Sequence, residues 1–189
     1  MLIGAAVFAR PIVPATLVAA LLGGLAPDLP MFALVLWSTG LAGVPEHDVF
    51  SRLYFLDSWQ AVFAVDHSFF VWGLLLALGH WRGHLVLTAF AGSGFLHAAI
   101  DFLTHRDDAR RQLWPVSDWV FRSPVSYWDP NYYGTIISVV ELGLVLLAAA
   151  FLCRLHRKLW QRALIVLLAA ILVVPVIVTG GFHGLHGMG

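Results

Sequence analysis

The chain has 189 residues, 60% of them apolar, with only 11 basic and 11 acidic side chains, whereas soluble domains usually carry roughly a quarter charged residues. A mean hydropathy of +0.83 with eight Trp and thirteen Phe excludes an ordinary soluble globule and fits a polytopic membrane protein, because charge is costly in hydrocarbon. Zero net charge and the lack of a Lys/Arg block exclude nucleic acid as a partner. Cys153 is the sole cysteine, which excludes an intrachain disulfide and any Cys-based metal site.

The expected architecture is all-α: one transmembrane domain over residues 1–189, a membrane helix bundle of about five spans. In chain order the apolar stretches are Ile12 to about Trp37, Gln60 to Gly79, Leu85 to Thr104, Gly134 to Cys153 and Ala163 to Thr179. Each is near the ~20 residues one crossing needs. The first is interrupted by Pro27-Asp28-Leu29-Pro30, where two prolines remove backbone donors and crowd the preceding turn. A broken helix is expected there, with Asp28 against protein or a wet cavity rather than lipid. A cleaved leader ending at Ala26 is not expected, since Pro27 would begin the processed chain.

Orientation follows from the short loops. Arg154, Arg157, Lys158 and Arg162 stand together without an acid, which assigns that turn to the cytoplasm. Five spans then place the N-terminus and Arg10 in the cytoplasm and the loops Ser38 to Trp59 and Arg106 to Tyr133 outside. The chain is thus expected to cross its membrane several times, with the site below facing outward.

Ionisable residues inside spans are functional candidates by default, and here they converge on one level. At about 1.5 Å per residue, Asp28 lies ~13 Å inward of Trp37, His67 ~10 Å inward of Gln60, and His97 ~12 Å inward of His105. The first three spans alternate in direction, so these depths are measured from one membrane face. His97, Asp101 and His105 recur every four residues and share one helical stripe. Asp66 and His67 stand on the facing span. Imidazole and carboxylate donors converging from several elements suit a divalent ion, with zinc the first expectation and manganese or iron the others. The candidate ligands are His67, His97, Asp101 and His105, with Asp28 as a further ligand or as the base and Asp66 as the other candidate acid–base residue. The plain alternative for any one of them is a satisfied interhelical hydrogen bond, and His105 is also placed to be merely interfacial. His80 and His84 flank a turn and are assigned no chemistry. His183 and His186 lie in a Gly-rich tail and are assigned no site.

The loop after His105 interleaves Arg106, Arg110, Arg111 and Arg122 with Trp114, Trp119, Tyr127, Trp128, Tyr132 and Tyr133. One reading is an aromatic belt in the membrane interface. The functional reading uses the four arginines to hold a lipid headgroup or phosphoester over the metal, because guanidinium forks onto phosphate oxygens.

Gly23 and Gly24 leading to Pro27-Asp28, the pair His67-Ser68, and His97-x-x-x-Asp101-x-x-Thr104 together resemble the YdjM-like family of bacterial inner-membrane proteins, regarded as metal-dependent hydrolases. The likeness spans roughly Gly23 to Pro115. Pro30 stands where that family has a second acid, and no His-Arg-Gly precedes His67, Val62 standing at the first of those positions. The resemblance implies a metal site and a hydrolase. The function expected from the residues and the resemblance together is a membrane-embedded metal-dependent hydrolase acting on a phosphoester or polar lipid through metal-activated water, with membrane lipids as its surroundings. Two alternatives stand beside it: a non-catalytic assembly or accessory subunit locked by its polar network, and a b-type haem protein with His67 and His97 as axial ligands.

Overall fold

Secondary structure in the computed structural model is helical throughout the described residues, which are 1–127 and 129–178, the side chains of 175–178 excepted. Trp128, the end of the expected fifth span at Thr179, and the tail with His183 and His186 lie outside them. The elements run α1 (Leu2–Phe8), α2 (Ala15–Leu25), α3 (Leu29–Leu36), α4 (Glu46–Ser51), α5 (Asp57–Asp66), α6 (Phe69–Trp81), α7 (Leu85–Thr104), α8 (Gly134–Leu155) and α9 (Leu159–Val178). Four helical stretches are long and apolar enough to cross a membrane: Ala15–Leu41, Asp57–Trp81, Leu85–Thr104 and Gly134–Leu155. With α9 beside them, they form the expected all-α bundle. Its outward faces carry Leu74, Val139 and Leu147, each about two-thirds exposed or more, as side chains in contact with lipid are.

The interruption at Pro27 takes a specific form. The chain stays helical but tightens to a 3-10 turn over Ala26–Asp28, and α3 continues from there. A 3-10 turn accommodates a proline whose missing N–H would leave an α-helical carbonyl unpaired.

A second interruption lies at His67-Ser68, between α5 and α6, where no proline or glycine announces it. Ser68 leaves helical geometry and its Oγ accepts the N–H groups of Phe70 and Val71 at 3.1 and 3.2 Å, an N-cap. The remaining groups freed by the break also find partners. Trp72 Nε1 donates to the Asp66 carbonyl, and the Phe69 N–H donates to the Gln112 carbonyl at 2.9 Å. This is how irregular backbone is tolerated at depth in a membrane: it is enclosed by protein.

The central helix is α7, which packs against α1, α2 and α6. Glycines permit the approach. A side chain at Gly23 would meet the Phe90 carbonyl, one at Gly92 the Phe8 ring, and one at Gly94 the Trp72 indole. The first helix was not foreseen in the sequence. It is too short to span, and it folds back beside α2 so that Met1 lies against Gly24 and Gly4 against Ser93. Its Leu2 and Ala5 join Leu17 and Ala20 of α2, Val145 and Leu152 of α8 and Ile165 of α9 in one apolar cluster. Thr16 closes the intervening turn by accepting the Arg10 N–H at 2.7 Å.

The segment after α7 turns back over the helix it follows. Ser123 and Tyr127 donate their N–H groups to the His105 and Thr104 carbonyls, and Ser123 Oγ donates to the Leu103 carbonyl at 2.6 Å. Carbonyls left over at a helix C-terminus are thereby satisfied.

Candidate metal centre

The two interrupted spans and α7 bring four side chains to one point. Asp28 comes from the 3-10 turn, His67 from the end of α5, and His97 and Asp101 from one face of α7, four residues apart. One ligand atom from each lies within 4.8 Å of all the others. Asp101 Oδ2 stands 3.1 Å from His67 Nε2 and 3.2 Å from His97 Nε2. Asp28 Oδ1 stands 3.6 Å from His97 Nε2 and 3.9 Å from His67 Nε2. Donors sharing one tetrahedral ion at 2.0–2.2 Å are roughly 3.3–3.6 Å apart, so these four residues could hold a metal ion with little movement.

The outer nitrogens explain the inner ones. His97 Nδ1 is 2.9 Å from the Gly24 carbonyl, and His67 Nδ1 is 2.6 Å from Asp66 Oδ1. A carbonyl only accepts, so Nδ1 of His97 carries hydrogen, which leaves Nε2 as the ligand nitrogen whenever the ring is neutral. Both Nε2 atoms are buried with an Asp101 oxygen at 3.1–3.2 Å. A nitrogen and a carboxylate oxygen at that distance share either a proton or a cation between them. Hydrogen bonds of this kind behind a ligand fix the tautomer and aim the ring.

His105 is placed one step away. It follows the last residue of α7, with Nε2 3.6 Å from Asp101 Oδ1 and Nδ1 2.7 Å from Asp108 Oδ2. Burial opposes a charge on this ring, but the Asp101 and Asp108 carboxylates outweigh burial and push its pKa up to about 9. Asp108 is lowered in turn: burial opposes its ionisation, and the hydrogen bond from His105 prevails. His105 therefore bears on the second oxygen of Asp101, outside the four-donor group. Asp66 likewise stands behind His67, with Oδ2 buried and unpartnered.

The four arginines do not act together. Arg110 is 2% exposed and stacks on the Phe63 and Tyr54 rings at 4.3 and 4.8 Å. Its Nη2 is 3.9 Å from Met31 Sδ, while Nε and Nη1 have no partner. Met31 is one turn beyond Asp28 and Phe63 one turn before His67, so Arg110 borders the centre. Arg106 lies over the Tyr132 ring and donates to the Ser123 carbonyl. Arg111 pairs with Asp118 at 3.2 Å near the surface, and Arg122 is exposed.

Reasoning from sequence missed the Gly24 carbonyl and Asp108. The His105-x-x-Asp108 spacing was a signal for the second, while nothing local marks a backbone carbonyl as a ring anchor. Compared with protein-family models, curated proteins and solved structures, the chain matches none.

Proposed function

We propose that this protein is a membrane-embedded metal-dependent hydrolase of phosphoesters or polar lipids, a divergent relative of the YdjM-like family in a bacterial inner membrane. The observation that carries the reading is the convergence of two buried Nε2 atoms and two carboxylates within 4.8 Å of one another, a donor set that a divalent cation takes. His67, His97 and Asp101, whose donor atoms stand closest together, would bind the ion, zinc first and manganese or iron as the others. Such an ion lowers the pKa of water towards neutrality. Asp28 stands farther from both imidazoles and is the most open of the four at 28% side-chain exposure, which suits it to take the proton from water. Asp66 orients His67, and the Arg110 guanidinium bordering the centre would favour the charge of a phosphoester. The haem alternative fits poorly, because the Asp101 carboxylate stands against both Nε2 atoms where a porphyrin would have to pass.

Elemental analysis of the tag-free protein beside His97→Ala and Asp28→Asn is the test, followed by assays on nitrophenyl phosphoesters and short-chain phospholipids. The expected result is near-stoichiometric metal in wild type, loss of the metal in His97→Ala, and retained metal without turnover in Asp28→Asn. Wild-type protein without metal would leave the non-catalytic subunit as the reading. Metal with full turnover in Asp28→Asn would remove the assigned base.

A further inference from the structure

We infer that the end of the bundle opposite the metal centre carries a second binding site, for a phosphate-bearing anion, at the turn between α8 and α9. A cavity of about 250 Å³ opens there, lined by Pro11, Leu155, His156, Arg157, Lys158 and Gln161. Two of these side chains are buried without partners. His156 is 1% exposed with neither ring nitrogen bonded, and Gln161 is 2% exposed with its Nε2 unbonded. Leaving a buried donor unmatched costs about 1–3 kcal/mol, so their joint presence around one cavity points to something that accepts from them.

The surroundings say what kind of partner it is. The cavity lies at the N-terminus of α9, a 20-residue helix whose positive dipole end favours an anion, although the Gln161 and Arg162 N–H groups already donate to the Lys158 carbonyl. Two nearby carbonyls already have a donor: Arg162 Nε donates to the Cys153 and His156 carbonyls at 3.0 and 3.2 Å. Between Glu141 and the end of α9 the sequence has no Asp or Glu, while Arg154, Arg157, Lys158 and Arg162 fall within nine positions. Donors and positive charge thus exceed acceptors, and a ligand with several anionic oxygens balances them. The volume is below the ~300 Å³ of the smallest usual organic ligand sites, which suits a single phosphoryl group. The position suits it as well, since α8 passes here from apolar sequence into basic sequence, the level at which lipid phosphates lie. This site is independent of the metal centre, because α8, about 33 Å long, runs from the metal-centre end to this turn.

A lipid headgroup and free phosphate share this chemistry, and two measurements separate them. Native mass spectrometry of protein released from mixed phosphatidylcholine and phosphatidylglycerol nanodiscs counts retained lipid. Thermal unfolding in a sugar-based detergent compares inorganic phosphate with chloride at equal ionic strength. The variants are Gln161→Glu, Gln161→Met and the surface pair Arg157→Gln/Lys158→Gln, with a monodisperse size-exclusion peak and wild-type helical circular dichroism reporting that each is folded. One retained phosphatidylglycerol, reduced about tenfold in the folded Gln161 variants and in the surface pair, assigns a lipid headgroup. A phosphate-specific rise of 2 °C or more in wild type, absent from the same variants, assigns the free anion. Neither ligand engaging wild type, or folded Gln161 variants binding as wild type does, overturns the site.

Discussion

Asp66 illustrates how a residue that never reaches the middle of the centre can still decide what is bound there. Its Oδ1 accepts from His67 Nδ1 at 2.6 Å, which aims the opposite nitrogen inward. Asp66→Ala is expected to weaken metal binding by about 10–100-fold, read by competition with a chromophoric chelator, with a smaller loss in Asp66→Asn, where the acceptor oxygen remains. Arg110 gives the converse case, since it touches none of the four donors. Arg110→Gln should leave metal content unchanged and raise KM for a phosphoester tenfold or more, and a variant that lost metal instead would make Arg110 a support of the centre. The four donors were legible in the sequence because each is an ionisable group deep inside an apolar span, where it is expensive without a task. Gly24 and Asp108 were not. Their parts depend on how α2 lies against α7 and how the segment after His105 bends, and neither is a local property of the sequence.

The spans themselves show the same division. Proline announces the irregular turn at Asp28, and the sequence located it correctly. The break at His67 has no such marker, and only the capping chemistry of Ser68 before an apolar run hints at it. Ser68→Ala removes the acceptor for two backbone N–H groups and the hydroxyl that donates to the Trp114 carbonyl. The expected cost is about 1–2 kcal/mol, measurable by denaturant unfolding in mixed micelles. At Gly23 the α2 and α7 backbones meet, and a methyl group would collide with the Phe90 carbonyl. Gly23→Ala is therefore expected to destabilise by about 1–3 kcal/mol. Because the neighbouring Gly24 carbonyl anchors His97, the same variant should lose metal affinity, and the paired measurement distinguishes this from simple loosening.

For the molecule as a whole, hydropathy was enough to foresee an all-helical bundle with the polar groups at one level. It could not foresee α1, whose seven residues read as flanking sequence until α2, α7 and α8 supply the groove they fill. The charge pattern further predicts which end of the bundle faces which compartment. In a Cys153→Ala background, an impermeant maleimide added to intact spheroplasts should label Ser117→Cys and reach Arg154→Cys only after lysis. The opposite pattern would invert the orientation and place the metal centre on the cytoplasmic side.

The join between His67 and Phe69 is completed by carbonyls of Gln112 and Trp114, made more than forty residues later. The nascent chain therefore has no finished centre when its first three spans enter the bilayer. The backbone beside His67 therefore gains its last partners only when the segment beyond Thr104 is in place. First-row metals compete for such nitrogen and oxygen donors in an order set largely by the ions themselves, with supply deciding the outcome. A metal taken by such a centre would thus be bound late, and the ion would be set by the free-metal pool of the compartment where folding ends rather than by the one where synthesis begins.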